Sequence, residues 1–123
     1  MFPCGTCASR RKEEGTDMSE CKVTVDPGVC KLGTVIVARP SEDMMSIVFD
    51  VETACPNIRK MADRIGPVNA YEAIGKKMCE NPIYEAANEC CPHAACPVPC
   101  AFVKAMEAAA DLGLKRNVSF TIE

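Results

Sequence analysis

Apolar residues recur along this chain first with the period of a strand and then with that of a helix. Lys22-Val23-Thr24-Val25 alternates polar and apolar, which predicts a strand with Val23 and Val25 turned inward. Asp26-Pro27-Gly28 follows as a turn, proline presetting φ and glycine accepting a positive φ. Residues 34–39 read as a second strand, Pro40-Ser41-Glu42-Asp43 as a hairpin loop, and residues 45–52 as a third strand. In that third strand Ile47, Phe49 and Val51 share one face, and Ser46, Asp50 and Glu52 the other. Three consecutive strands on short loops imply an antiparallel meander.

From Thr53 the period lengthens. Thr53-Ala54-Cys55-Pro56-Asn57 leads into Ile58, Met61, Ala62 and Ile65 at helical spacing, and Gly66-Pro67 stops the run. Asn69 is placed to cap a second helix with Ala70, Ile74 and Met78 along one side. Asn81-Pro82 starts a further helix with Ile83, Ala86, Ala87 and Cys90 inward. Pro97 and Pro99 open the longest helix, because first-turn amides have no intrahelical partner to lose. Its apolar face is Phe102, Ala105, Met106 and Ala109, and Asp111-Leu112-Gly113-Leu114 ends it, with Gly113 as the left-handed stop. Asn117-Val118-Ser119-Phe120-Thr121-Ile122-Glu123 alternates again and predicts a last strand returning to the sheet. The expected fold is α+β: a two-layer sandwich whose mostly antiparallel sheet (the meander plus the C-terminal strand) carries three or four helices on one face. Residues 1–20, polar and without a period, form a cysteine-containing N-terminal arm, and residues 21–123 a single α+β domain.

Composition changes this picture in one respect. With 48% apolar and 25% charged residues and a net charge of −3, the chain reads as ordinary globular protein without a basic face. Trp is absent and Phe and Tyr number four and two, so platforms for stacking bases are missing too. No apolar run reaches the roughly 18 residues of a membrane span. Met1-Phe2-Pro3-Cys4-Gly5 does not open like a secretory leader. The expectation is a cytoplasmic protein with neither nucleic-acid nor membrane partners. Ten cysteines in a reducing compartment then need a reason, and metal binding is the first. A secreted protein with five disulfides is the alternative.

The stretch Cys90-Cys91-Pro92-His93-Ala94-Ala95-Cys96-Pro97-Val98-Pro99-Cys100 holds four of the ten cysteines and the one histidine. Cys30 lies just past a turn at a sheet end. Cys55 and Cys96 each open a helix, where unpaired amides and a partial positive charge stabilise a thiolate. Proline follows in Cys55-Pro56, Cys91-Pro92 and Cys96-Pro97, keeping each cysteine extended, and Cys-Pro recurs after cluster ligands. Cys100 is one turn past Cys96 on the same face and is a candidate fourth ligand. His93 is a ligand, a neighbour of the site, or a loop histidine with no such role. Cys4-Gly5-Thr6-Cys7 is a C-x-x-C pair. It chelates a metal, together with Cys90 or Cys91 in a second four-sulfur site, or serves as a redox dithiol, or is part of a mobile arm. Cys21 and Cys79 read as small buried hydrophobes.

Cys30 before a strand, Cys55 opening a helix about 25 residues later, and His93-x-x-Cys96 opening a long helix about 41 residues after that resemble iron–sulfur scaffold proteins of the IscU/NifU N-terminal type. The resemblance covers roughly residues 22–112. It implies Cys30, Cys55 and Cys96 as cluster ligands, with His93 as a fourth ligand or neighbour. Leu32 stands where the scaffold proteins carry an aspartate, and two alanines separate His93 from Cys96, where the scaffold residues adjoin. The chain is also similar to a set of small uncharacterised proteins of anaerobes, through Asp26, Gly28 and Cys30, through Cys55-Pro56-Asn57, and through His93, Cys96, Pro97, Val98 and Pro99. That similarity implies the same three cysteines and no activity.

Three functions fit these residues. The first is an iron–sulfur protein, scaffold- or carrier-like or a small electron-transfer component, whose partner is a protein that donates or accepts the cluster. The second is a structural zinc-binding interaction module. The third is a thiol-based enzyme or sulfur carrier using Cys96 or Cys55 as nucleophile. The chain carries no glycine-rich phosphate loop or dinucleotide fingerprint, and one histidine assembles no Ser/His/Asp set.

Overall fold

The computed structural model describes residues 20–42 and 45–123. Three strands come first: β1 (Cys21–Val25), β2 (Thr34–Pro40) and β3 (Ile47–Thr53). Four helices follow: α1 (Pro56–Ile65), α2 (Ala70–Ala73), α3 (Pro82–Cys90) and α4 (Val98–Ala109), with a 3₁₀ turn at Met78–Glu80 between α2 and α3. The strands pair antiparallel in the order β1-β2-β3. Their register aligns Cys21, Ala38 and Phe49 in one row, Val23, Ile36 and Val51 in the next, and Val25, Thr34 and Thr53 in a third. Because side chains alternate across a sheet, these rows form one face, and the helices cover it. α4 lies over β2 and β1, α1 lies over β3, and α3 packs on both helices.

The core is where these layers meet. Ile36, Ile47, Ile58, Met61, Ile83, Val98, Phe102 and Met106 are buried. The rings of Phe49 and Phe102 meet edge to face, with centroids 5.2 Å apart, so α4 is keyed to β3 as well as to β2. At the sheet end beyond this pair, the Thr34 and Thr53 hydroxyls share a hydrogen bond of 2.8 Å, which satisfies polar groups next to the core. On the opposite face Arg39 and Asp50 form an exposed ion pair. The meander, the inward faces and the α+β class are those the sequence predicts.

Three details differ. The second helix was expected to reach Met78, but α2 stops at Ala73, and Met78 is 67% exposed in the turn that follows. The Ala73 carbonyl accepts from the Lys76 amide at 3.1 Å and from Asn81 Nδ2 at 3.0 Å. Those bonds replace the one that would have carried the helix onward. Asn81 is itself buried and its Oδ1 accepts from the Ile83 amide at 2.9 Å, so one side chain ends α2 and caps α3.

The stop after α4 is also not the glycine. Asp111 takes the left-handed conformation, with φ 63°. The Leu112 amide reaches the Glu107 carbonyl at 2.8 Å and the Asp111 amide reaches Ala108 at 3.2 Å. This is a Schellman motif with aspartate in the place usually held by glycine. Finally, the predicted C-terminal strand does not form. Residues 117–123 have no strand structure, and Val118, Phe120 and Ile122 are 57%, 81% and 93% exposed. Alternation gives a strand preference, but a strand needs a partner edge. The Lys115 ammonium holds the approach to this segment at the Glu20 carbonyl, 2.9 Å away, and the segment beyond it joins none of β1–β3.

Candidate thiol site

Three helix ends meet beside the core, and each brings cysteine. Cys55 is the N-cap of α1, in an extended conformation with φ −89° and ψ 120°, and Pro56 occupies the first helical position. Its amide donates to Thr53 Oγ1 at 3.1 Å, while its side chain makes no capping bond. At the other end of the site α3 finishes with Cys90, and Cys91 is its C-cap, extended at φ −102° and ψ 111°. Pro92 enforces that exit, because the residue before proline is driven out of the helical region. The chain then turns through residues 92–96, closed by the Cys96 amide on the His93 carbonyl at 3.2 Å. Cys96 immediately precedes Pro97, the N-cap of α4.

The Cys91 thiol is the hub of this arrangement. Its sulfur lies 4.0 Å from the Met61 sulfur on α1. Burial first, and then the neighbouring Cys96, Cys55 and Cys90, push its thiol up to about 11. Among the described residues the ionisable neighbours that act on it are all cysteines, so the locality is a sulfur environment rather than an acid–base one. Cys55, Cys90, Cys91 and Cys96 are all half-buried and all pack against the core. As the side chains stand, no three His, Cys, Asp or Glu among the described residues are grouped to hold a metal ion.

The helix starts that carry two of these cysteines are not equivalent. In α1 only the first amide is lost to proline, and those of Asn57 and Ile58 remain in the first turn. In α4 both the N-cap and the second helical position are proline, so two amides are missing from the same turn. Free backbone donors therefore remain at the start of α1, beside Cys55, and are fewer at the start of α4, beside Cys96.

The other predicted site residues lie apart from the hub. Cys30 is exposed on the loop between β1 and β2. That loop leaves from Val25 and rejoins at Thr34, which pairs with Thr53, and the Ala54 amide reaches the Gly33 carbonyl at 3.4 Å. Cys30 thus belongs to the same end of the sheet as Cys55, but it is not among the groups that act on Cys91. Cys100 is exposed one turn into α4 and meets the side chain of Tyr84, whose phenol is pushed up by burial and by Cys100. It faces the middle of α3 rather than the hub. His93 is exposed and serves the turn through its carbonyl. Cys4 and Cys7 lie outside the described residues. Of the two cysteines read as buried hydrophobes, Cys21 is 2% exposed as expected. Cys79 is exposed instead, because the early end of α2 puts it in the 3₁₀ turn rather than on a packed face. Sequence spacing named Cys55 and Cys96 but not the central position of Cys91, and it read Met61 only as core.

The model of a family of unknown function, DUF6951, matches residues 21–122, which include the whole sheet, the four helices and the thiol hub. Neither a curated protein nor a solved structure matches the chain. No helix among the described residues is long and apolar enough to cross a membrane.

Proposed function

The chain belongs to the DUF6951 family, which carries no assigned activity, and from its own geometry we propose that it binds a thiolate-ligated metal centre, an iron–sulfur cluster in the first instance. Cys55, Cys91 and Cys96 are the proposed ligands. One observation carries the reading: Cys55, Cys90 and Cys96, from three separate helix ends, act on the half-buried Cys91 sulfur, and among the described residues no ionisable group of another kind does. A donor set of sulfur alone suits iron–sulfur clusters and zinc and does not suit magnesium or calcium. The thiols are not yet grouped as ligands, so binding includes side-chain rotation and loss of the thiol protons. Cys90 is one residue from the hub, and Cys30, on a loop at the same sheet end, is the proposed exchangeable position. His93 and Cys100 are the less favoured donors by their placement.

An iron–sulfur cluster held here would supply either electron transfer or a cargo passed to a protein partner. We place this chemistry in the cytoplasm, where thiols stay reduced, and the eight described cysteines are free thiols. Zinc would make the same sulfur set a structural centre of an interaction module.

The test is a visible absorption spectrum with iron, sulfide and zinc quantified, on protein purified without oxygen. Brown protein with iron and sulfide in comparable amounts, lost in Cys55→Ser, Cys91→Ser and Cys96→Ser, is the expected result. Colourless protein holding zinc moves the function to the interaction module. No metal after anaerobic reconstitution overturns the reading.

A further inference from the structure

We infer that Cys91 and Met61 together grip a soft monovalent cation, copper(I), and that this ion takes Cys91 from the cluster. The grip stands on the contact between the two sulfurs; the displacement rests on the metal reading above.

The Cys91 thiol donates to the Met61 thioether, with the two sulfurs 4.0 Å apart. The thioether lone pair that accepts the proton is the one that binds a metal, so an ion taking the proton's place faces both donors at once. With metal–sulfur bonds of about 2.3 Å, two sulfurs 4.0 Å apart subtend about 120° at a shared ion, an angle that suits three-coordinate copper(I). The third place is left to one of Cys55, Cys90 and Cys96, which are half-buried against the same core. Met61 lies within α1 and is 0% exposed. Cys91 is half-buried, so the ion enters from the Cys91 side and meets a thioether that packing holds in place.

Donor chemistry selects the ion. A thioether is neutral and soft, so it adds little for zinc, which prefers thiolate, imidazole and carboxylate, and much for copper(I). Met61 also adds a donor without adding charge. With Cys91 as the one thiolate, the pair neutralises a monovalent ion, whereas a divalent ion on it keeps a net positive charge against the core. Loading releases one proton from Cys91 and forms two metal–sulfur bonds, with no change of oxidation state. Met78 and Cys79 adjoin in sequence, but both are exposed, so no core shields an ion there and Cys79 serves as the control.

The experiment uses reduced, metal-free, full-length protein without oxygen, with free copper(I) set by bicinchoninate. It reads the copper(I) level that half-protects Cys91 from alkylation, located by peptide mass spectrometry. Met61→Leu conserves volume and apolar surface. It should raise that level by about tenfold or more and leave the level for Cys79, and the zinc level for Cys91, unchanged. A second readout needs no variant: with isotope-labelled methionine methyl groups, the Met61 methyl resonance, assigned by its contacts with neighbouring buried side chains, should shift as copper(I) is added and stay in place with zinc. An equal copper(I) level in the native protein and Met61→Leu, or a Met61 methyl that copper(I) leaves in place, overturns the grip. Copper(I) added to protein reconstituted with iron and sulfide should bleach its visible absorption, and undiminished absorption refutes the displacement. Should copper(I) protect Cys91 through Met61 while the protein takes up neither zinc nor iron, the metal reading fails and the grip stands.

Discussion

The Cys91 thiol should react slowly for a reason the structure quantifies. Its proton is held to about pH 11 rather than the ordinary 9.0, so at any pH below 9 it carries about a hundredfold less thiolate than an unperturbed cysteine. A more basic thiolate is also a stronger nucleophile, and a Brønsted slope of about 0.4–0.5 returns roughly sixfold to tenfold. The net expectation is alkylation about tenfold slower than for the same cysteine in unfolded protein, before restricted access adds to it. The assay is the rate of iodoacetamide labelling of Cys91 in reduced, metal-free protein, resolved by peptide mass spectrometry, from pH 7 upward, with a urea-unfolded reference. The folded profile should still be rising above pH 9. In Cys96→Ser the inflection should move down without returning to 9.0, because burial is the largest cause and persists when the partner is removed. The same shift has a sign for stability: the folded state holds this proton more tightly, so its contribution is full below pH 9.0 and is lost as pH rises toward about 11. A folded rate equal to the unfolded one, or an inflection at or below pH 9, would refute the account of Cys91 as a half-buried thiol among thiols.

Phe102→Ala empties the space under β2 and removes the ring contact with Phe49; a loss of about 3–5 kcal/mol is expected in urea unfolding. Asn81→Ala removes the α3 cap, but the Lys76 amide keeps the Ala73 carbonyl satisfied, so the loss should be about 1–2 kcal/mol. Gly66 ends α1 at φ 62° and ψ −167° with open space around it, so Gly66→Ala should lower stability by about 1–3 kcal/mol through backbone strain alone. Removing residues 117–123 should leave the urea midpoint nearly unchanged, within about 0.5 kcal/mol, since that segment is exposed and joins no strand; a drop of several kcal/mol would mean that it packs as a strand after all.

The fold was legible wherever local chemistry and packing agree. The three strands alternate because one face of the sheet is covered, so Val23, Ile36, Phe49 and Val51 announce both their conformation and their direction. Asn69 and Asn81 announce helix starts because their side chains bond amides only two or three residues away. What failed depended on distant partners. The length of α2 is decided by Asn81, eight residues beyond Ala73. The fate of residues 117–123 is decided by whether an edge receives them, and alternation says nothing about edges.

The site follows the same rule, and Cys91 marks the boundary. Spacing put cysteines at two helix starts, and the fold brings those starts to one locality because α1 and α4 cover one sheet face and α3 packs on both. Which thiol of the Cys90-Cys91 pair turns toward them depends on where α3 ends. Consecutive helical residues point about 100° apart, and Cys91 has left the helix entirely. The information was present in Pro92, which bars Cys91 from the helical region and so commits it to an extended exit toward the turn that returns at Cys96. Proline was expected to keep the cysteine before it extended, and at Cys91 that effect decides where the sulfur sits. The prolines at 97 and 99 do the converse to Cys96, stripping donors from the turn that was expected to stabilise its thiolate. A site built this way depends less on any one activated cysteine than on the closeness of several. The decisive comparison is therefore Cys91→Ser against Cys96→Ser and Cys55→Ser: loss of the hub should cost metal retention at least as much as loss of either sulfur at a helix start.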